Sequence, residues 1–351
     1  MRQNTIKISV CIPAYNRPEV LPALLDSVLS QSYSDFEIVI CEDNSPKRQE
    51  ISEIIANYVQ KYPGIIYYYE NELNLGYDGN IRNLITKANG DYCLFMGNDD
   101  LMCADALAVV ASAVTRYKDI GVVLRTYASF DGSPENINQI FRYFKEEAFF
   151  PAGTEAISTI YRRSVVISGM VVHRQRALKY STEQFDGTLL YQLHLVANLL
   201  TEMNGVFVPE ILTLYRNGGI PDFGNSEKEK SLFTPKLQTP ESSLHFMKGM
   251  LEIAKWTEIT HNITIYKSIL TDIGNYSYPI LSIQAKQPKL VFLKYAYGLA
   301  SMGFWKNKMF YLYFTSLLVL GSSRVDRVIQ YLKNHIGHTP VIGSVYRGGV
   351  R

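Results

Sequence analysis

The sequence predicts an α/β fold, built on a mostly parallel, doubly wound sheet with helices on both faces. In the first third of the 351 residues, short apolar runs alternate with amphipathic segments. The apolar runs are rich in β-branched and aromatic residues, which is typical of strands buried on both faces. Polar residues follow every run, at the edge where sheets of this kind bind their ligands.

The elements of this first third can be assigned in order. The predicted strands are residues 8–12, 36–41, 65–69 and 92–96. The segments between them have apolar residues at helical spacing and are predicted helices, at residues 19–31, 49–61 and 79–88. Strands joined through helices form right-handed crossovers, so neighbouring strands are expected to be parallel.

The rest of the chain has a weaker pattern. A helix is predicted at residues 188–200 and a strand at 206–215, and residues 217–238 are expected to form a loop that can act as a mobile lid. Residues beyond Pro240 are predicted to be helical. The expected divisions are a ligand-binding half at residues 1–115, a second half at 116–220, a loop and helical extension at 221–285, and a basic, aromatic-rich helical tail at 286–351.

Composition favours a globular chain in the cytoplasm. Hydrophobic residues make up 47% and charged residues 19%, which is ordinary for a folded domain. The four cysteines have no zinc-ligand spacing and are expected to be reduced, mostly buried thiols. Residues 1–7 are polar and lead directly into a strand, and the longest apolar stretch, residues 309–323, is too short to span a bilayer.

Positive charge is concentrated at the end of the chain. Residues 286–351 contain ten basic residues and one acidic residue, Asp326, whereas 25 basic and 32 acidic residues precede them. Leu, Phe, Tyr and Trp lie among these lysines at residues 290–320. We therefore expect the tail to meet an anionic membrane surface rather than nucleic acid. The alternative is a helical subdomain that covers the core or an oligomer interface.

The polar segments after the four strands predict a small-molecule site. They are residues 13–18, 42–45, 71–76 and 97–100, and they place acids and amides along one rim of the sheet. A carboxylate at Asp43 can accept a hydrogen bond from a base N–H or a ribose hydroxyl. Arg82 either holds a carboxylate or contacts a diphosphate through its bidentate fork, and its alternative is a plain ion pair.

Asp99 and Asp100 are candidate metal ligands. Carboxylate oxygens suit Mg²⁺ or Mn²⁺, and an ion held here would neutralise a diphosphate leaving group. The alternative is a helix N-cap, because Asp is also favoured at that position.

Several segments in a fixed order resemble the family 2 glycosyltransferases. They are ISVCIPAYNR at residues 8–17, EIVICEDNS at 37–45, Asn74-Leu75-Gly76, Arg82-Asn83, Gly90-Asp91-Tyr92 and Asn98-Asp99-Asp100. The resemblance covers about residues 6–115, and it continues weakly in residues 206–210 and 214–216. Gly97 stands where many members of the family have a further acid, so the resemblance leaves open which of Asp99 and Asp100 holds the metal.

This resemblance implies a GT-A fold, an α/β Rossmann-like domain with an α-helical C-terminal region. It implies a nucleotide-diphospho-sugar donor, Mn²⁺ or Mg²⁺ on Asp99 and Asp100, and a glycan or lipid-linked saccharide acceptor. The donor-binding residues that it implies are Pro13, Ala14, Tyr15, Asn16, Arg17, Asp43, Asn74, Gly76, Arg82, Asn98 and Asp99. A non-processive, inverting transferase is expected, on the inner face of the cytoplasmic membrane.

The catalytic base departs from the family pattern. Inverting members commonly have an adjacent Glu-Asp pair near a helix start, and this chain has none between about residues 170 and 205. Asp186, just before the predicted helix, is our candidate base, with Glu183 as the alternative and a helix cap as the structural interpretation. Two other functions stay open: a nucleotidyltransferase, and a sugar-nucleotide-binding protein without transferase activity.

Overall fold

The computed structural model of the chain describes residues 5–219, 221–340 and 342. Within these residues, ten strands form one sheet. They are β1 (Ile8–Ala14), β2 (Phe36–Glu42), β3 (Ile66–Glu70), β4 (Tyr92–Phe95), β5 (Leu101–Met102), β6 (Ile120–Phe130), β7 (Ile137–Phe141), β8 (Ala148–Phe150), β9 (Val171–His173) and β10 (Asn204–Arg216). The predicted strands are all present, with ends that differ by at most two residues.

The sheet has the strand order β3-β2-β1-β4-β9-β6-β10-β5, with β7 beside β6 and β8 beside β10. Strands β1 to β4 are parallel to their neighbours within this group, as the strand–helix alternation predicts. The short strand β9 runs antiparallel between β4 and β6 and joins the two halves into one sheet. Its three residues are too few for a recognisable sequence pattern.

Thirteen α-helices are described. They are α1 (Leu21–Leu29), α2 (Arg48–Lys61), α3 (Gly76–Lys87), α4 (Ala106–Arg116), α5 (Thr154–Ile160), α6 (Arg174–Lys179), α7 (Tyr191–Glu202), α8 (Pro240–Thr260), α9 (Tyr266–Asn275), α10 (Tyr278–Gln284), α11 (Lys289–Ser301), α12 (Lys308–Leu320) and α13 (Ser322–Ile336). Helix α7 begins three residues later than predicted.

Alternating side chains of the strands supply two hydrophobic cores. In β1, Val10 and Ile12 face the core covered by α1, α2 and α4, while Cys11 between them faces the core covered by α3, α5 and α7. This alternation follows from the period of two in a strand. Helices therefore cover both faces of the sheet, as predicted for a doubly wound fold.

The helices after residue 240 extend the second of these cores. Met247 and Met250 of α8 belong to the same buried cluster as Leu195 of α7. Asp272 of α9 accepts hydrogen bonds from Arg162 Nε (2.7 Å) and Arg163 Nη1 (3.0 Å), which follow α5. The C-terminal helices are thus packed on the sheet domain, and the divisions predicted at residues 115, 220 and 285 stay predictions.

Some sequence features lie outside the described residues. Arg347 and Arg351 of the basic tail and residues 1–4 of the N-terminal segment are among them. All four cysteines are described and have free thiols, and Cys11, Cys41 and Cys93 are buried. In the part of the chain that the structure describes, none of the helices has the length and apolar character needed to span a membrane.

Candidate functional site

A cavity of about 330 Å³ lies beyond the carboxyl ends of β1, β2 and β4. Nine of the predicted donor and metal residues line it: Pro13, Tyr15, Arg17, Asp43, Asn74, Gly76, Asn98, Asp99 and Asp100. Ala14 is fully buried in the sheet. Asn16 stands beside the cavity, where its Nδ2 donates to Asp222 (2.8 Å).

The segment after β1 turns sharply to present its side chains. Asn16 and Arg17 have φ values of 54° and 58°, and such left-handed residues reverse the direction of an extended strand. Asn98 Nδ2 donates to the carbonyl oxygens of Tyr15 (3.2 Å) and Asn16 (3.3 Å) and so connects this turn to the loop after β4. The two strand ends therefore form one wall of the cavity.

Asp43 lies at the end of β2 and is 3% exposed. Its Oδ1 accepts hydrogen bonds from the backbone N–H of Leu75 (2.9 Å) and from Asn71 Nδ2 (2.7 Å). Burial raises the pKa of Asp43 to about 6, and the nearby carboxylate of Glu229 adds to this. A carboxyl group held in this way by the start of α3 has a fixed direction toward a ligand.

The adjacent acids Asp99 and Asp100 have different surroundings. Asp99 forms an ion pair with Arg17. Asp100 accepts hydrogen bonds from Ser168 Oγ and from the backbone N–H of Arg216 (3.0 Å). Burial, followed by the charge of Asp99, raises the pKa of Asp100 to about 7. Both acids line the cavity, but Asp99 is paired there with Arg17, whereas both oxygens of Asp100 accept hydrogen bonds from other segments.

The surroundings of Gly97 explain why the loop after β4 has a glycine where many members of the family have a further acid. A Cβ at Gly97 would lie 3.0 Å from Asp100 Oδ2 and 3.1 Å from Ser168 Oγ. A carboxylate there would crowd the buried Asp100, so the glycine accompanies the hydrogen bond between Ser168 and Asp100.

A divalent metal fits this site if the donor supplies part of its coordination. No cluster of three or more His, Cys, Asp or Glu side chains occurs within the described ranges. Mg²⁺ commonly binds through one or two carboxylates together with substrate phosphates and waters. Asp99 meets that requirement, and Asp100 would have to exchange a protein hydrogen bond to become a second ligand.

Asp186 and Arg82 lie outside the cavity lining. Arg82 on α3 donates to both oxygens of Asp186, at 2.6 and 3.0 Å, and to the carbonyl of Thr182 (2.9 Å). This agrees with the ion-pair alternative for Arg82. Arg82 and Asp186 are paired with each other here. Donor binding by Arg82 therefore stays a prediction, and so does the role of Asp186 as the catalytic base.

Asp78 holds the start of α7 and was missed by the sequence analysis. It is 1% exposed and accepts hydrogen bonds from the backbone N–H groups of Gly187, Leu189 and Tyr191, at 2.8–2.9 Å. Burial raises the pKa of Asp78 to about 7. An acid in the first turn of α3 is its only signal in the sequence, and acids are common there because they interact favourably with the helix dipole.

The predicted loop after β10 lies across the cavity. We call residues 217–219 and 221–238 the strap, and Ile220 of the predicted loop lies outside the described residues. Gly219, Pro221, Asp222, Phe223, Asn225 and Glu229 of the strap line the cavity. Glu229 accepts hydrogen bonds from the backbone N–H groups of Tyr77 (2.7 Å) and Gly224 (3.0 Å), and Phe223 packs edge-on against Tyr77.

The opposite wall comes from the second half of the sheet domain. It consists of residues 165–168, Leu189 and Gln192, and Phe246 of α8 completes it from the C-terminal helices. Gln192 Nε2 donates to the carbonyl of Val165 (2.8 Å). Sequence reasoning did not find these residues, because none belongs to a motif.

Comparison with known proteins shows that the chain is similar to glycosyltransferases. Residues 9–180 match the family model described as "Glycosyl transferase family 2". An abequosyltransferase of Salmonella typhimurium is 37% identical over 113 residues, which are 32% of this chain and 34% of that protein. A GalNAc(5)-diNAcBac-PP-undecaprenol β-1,3-glucosyltransferase of Campylobacter jejuni is 28% identical over 104 residues, 30% of this chain and 33% of that protein. These matches span about a third of the relatives' length.

A solved structure resembles the whole described fold. A crystal structure of S. aureus TarS 1-349 in complex with UDP-GlcNAc matches with a TM-score of 0.51 and 14% identity, covering 98% of this chain and 96% of that chain. At this identity the likeness concerns the fold alone. Together with the family match, it confirms the predicted GT-A fold.

Proposed function

Because residues 9–180 match the family model of the family 2 glycosyltransferases, we propose that the chain transfers a sugar from a nucleotide-diphospho-sugar to a saccharide acceptor. The main support is the meeting of Asp43, Asp99 and Arg17 with the start of α3 around one cavity. These groups come from three different strand ends, where open α/β sheets bind ligands.

The nucleoside is proposed to bind between the end of β1 and the start of α3. Pro13 and Tyr15 offer apolar surfaces to a base, and Asp43 offers a carboxyl group to its N–H or to a ribose hydroxyl. The start of α3 lies at the wall of the cavity, which supports this placement of the nucleoside. Its first residue, Gly76, has a φ of 75°, a backbone conformation that favours glycine. Asn74, whose Oδ1 accepts from the N–H of Gly76 (2.9 Å), keeps that turn in shape.

The diphosphate is proposed to lie at Arg17 and Asp99. The described lining contains five carboxyl groups, those of Asp43, Asp99, Asp100, Asp222 and Glu229, and one basic side chain, Arg17. An anionic donor would be repelled by this excess unless a cation accompanies it. Mn²⁺ or Mg²⁺ between Asp99 and the donor would supply that charge and stabilise the leaving diphosphate.

The acceptor is proposed to enter between residues 165–168 and the strap. Phe223 and Phe246 give this end of the cavity an apolar side, and Gln192 gives it a polar one. Inversion by direct displacement needs a base for the acceptor hydroxyl, and Asp186 stays our proposal for that role. It would have to separate from Arg82 first, so Asp222, a carboxyl group that already lines the cavity, is a further alternative beside Glu183.

A lipid-linked saccharide is the acceptor class that we favour, in the non-processive synthesis of a cell-surface glycan. The name of the Campylobacter relative includes an undecaprenol-linked glycan, and the tail of this chain is basic and aromatic. We therefore propose that the protein works as a peripheral protein on the cytoplasmic face of a membrane.

A donor screen tests the proposal. Purified protein is incubated with UDP-, GDP-, CDP- and dTDP-sugars, with and without Mn²⁺, and release of nucleoside diphosphate is measured. We expect release from one nucleotide class, lost in Asp43→Asn and retained in Glu53→Gln, an exposed residue on α2. Pyrophosphate release from a nucleoside triphosphate and a sugar phosphate would instead identify a nucleotidyltransferase. Binding without turnover of any donor, tested with acceptors present, would favour a sugar-nucleotide-binding protein.

A further inference from the structure

Exposed apolar side chains are concentrated at the end of the described chain. Of the twenty large apolar side chains that are exposed in the described residues, twelve lie between Leu290 and Ile336. Single exposed apolar residues are common on any protein and need no explanation. A concentration in three consecutive helices indicates a surface that is covered in use.

These helices have apolar residues on two sides. In α11, Phe292 and Leu299 are buried against the protein, while Leu293 and Tyr297 point outward, and Tyr297 is 77% exposed. In α12, Phe310 and Leu317 face inward, while Leu312 and Val319 lie outward one heptad apart. We call the outward sides of α11, α12 and α13, together with Trp305 between α11 and α12, the tail surface.

Helix α13 continues the same arrangement. Val325 is buried, whereas Val328 and Leu332, three and seven residues later, are exposed. Phe292 of α11 contacts Phe314 of α12, with ring centroids 5.7 Å apart, so α11 and α12 are neighbours. The outward apolar residues therefore belong to adjoining helices and not to isolated sites.

The length of α12 excludes a membrane-spanning role for it. Its thirteen residues make a helix of roughly 20 Å at 1.5 Å per residue, and a bilayer's hydrocarbon core is about 30 Å thick. A surface helix that is apolar nearly all round must lie against another apolar phase.

The charge of the surrounding residues indicates that this apolar phase is a membrane. Lys289, Lys294, Lys306, Lys308 and Arg324 are all exposed among these apolar residues. The one acid of residues 286–351, Asp326, accepts a hydrogen bond from Tyr278. A second copy would bring two positive surfaces together and be repelled, whereas anionic lipid is attracted.

We propose that the tail surface docks on a bilayer that contains anionic phospholipid, with Trp305 and Tyr297 at the depth of the headgroups. Amphipathic aromatic side chains favour that depth, and the surrounding lysines reach lipid phosphates. Docking would give the protein access to a lipid-linked acceptor, and in that respect alone this inference rests on the proposed function.

The tail surface is connected to the cavity through the contact between α11 and α8. Gly298 of α11 approaches Leu244 of α8 so closely that a Cβ on the glycine would lie 2.9 Å from a methyl carbon of Leu244. Two residues further along α8, Phe246 lines the cavity. Docking through α11 would therefore hold the acceptor end of the cavity at a fixed orientation to the membrane.

Vesicle flotation of the full chain tests the proposal, with phosphatidylcholine vesicles that either contain or lack phosphatidylglycerol. We expect the wild type to float with the anionic vesicles at low salt and to be released at high salt. The double variant Leu312→Ser/Val319→Ser should reduce the bound fraction at least tenfold. The matched control is Ile137→Ser/Ile140→Ser, which removes two exposed apolar residues from β7 and should bind like the wild type.

Checks of folding, a second variant and a measurement of oligomeric state separate the possible outcomes. Circular dichroism and thermal unfolding check that each variant is folded, and Lys294→Gln/Lys308→Gln is a milder second test that should weaken binding to anionic vesicles. Failure of the folded wild type to bind anionic vesicles at low salt would overturn the proposal. So would a dimer, seen by light scattering, that dissociates in Leu312→Ser/Val319→Ser without any vesicle binding.

Failure here can be distinguished from failure of the proposed function. Asp99→Ala should float like the wild type, because Asp99 lies in the cavity and not on the tail surface. Release of nucleoside diphosphate by the tail variants, measured without vesicles, should equal that of the wild type.

Discussion

Asp99 and Asp100 have opposite environments although they are neighbours in the chain. Asp99 is paired with Arg17 beside the cavity, and Asp100 is held by Ser168 and by the N–H of Arg216. Each carboxyl group is defined by what surrounds it, and the two should respond differently to substitution.

We predict that Asp99→Asn lowers turnover about a hundredfold or more, because metal assistance to a leaving group is worth several kcal/mol. Affinity for Mn²⁺ in the presence of nucleoside diphosphate, measured by titration calorimetry, should fall with it. Asp100→Asn keeps a partner for Ser168 and should retain more of that affinity. If the wild type is fully active in excess EDTA, the metal site is wrong.

The base assignment gives a second prediction at this scale. Asp186→Asn removes the basicity but leaves an oxygen for Arg82, so donor binding should survive while transfer falls by about 10² or more if Asp186 is the base. Asp222→Asn is measured in parallel. Normal transfer by the Asp186 variant and loss in the Asp222 variant would assign the role to the strap.

The strap is the element that covers the cavity, and Glu229 attaches it to the start of α3. Glu229 joins its own segment to α3 by accepting from the N–H groups of Gly224 and Tyr77. The fit is close, since a Cβ on Gly76 would lie 2.7 Å from Glu229 Oε1. A donor nucleoside bound at Asp43 would lie beside this contact. The carboxylate of Glu229 would therefore connect the position of the strap to binding of the donor.

We predict that Glu229→Gln releases the strap, because an amide has one oxygen and cannot accept both N–H groups as a carboxylate does. Hydrogen exchange of residues 221–238, followed by mass spectrometry, should be at least several-fold faster than in the wild type. Glu227→Gln is the matched control, since Glu227 is two residues away and has an exposed side chain. Equal exchange in all three proteins would contradict a strap held by Glu229.

The whole molecule is joined by a buried ion cluster as well as by its shared core. Asp272 of α9, with a side chain 1% exposed, receives hydrogen bonds from Arg162 and Arg163 of the sheet domain. Burial lowers the pKa of Arg163 to about 10, with the charge of Arg162 adding to it. Arg163 thus stays charged at neutral pH, and Asp272 balances two guanidinium groups.

We predict that Asp272→Ala lowers the free energy of unfolding by about 3–5 kcal/mol, the usual cost of leaving a buried charge without its partner. Urea unfolding checks this. Glu252→Ala, which removes an exposed ion pair with Lys248, should cost no more than about 1 kcal/mol. If sheet and helices unfold in separate transitions that Asp272→Ala leaves unchanged, the cluster does not couple them.

Local pattern in the sequence was sufficient for the first four strands, the helices between them and the rim that carries Asp43 and Asp99. The reason is that burial imposes a period on adjacent residues, and that strand ends in a parallel sheet must meet at one edge. Tertiary structure alone decided that Asp186 pairs with Arg82, that Asp78 holds the start of α7 and that Glu229 reaches Tyr77. Each of those contacts joins residues more than 100 positions apart, and such pairs depend on how whole elements pack, which leaves no trace in the spacing of neighbours.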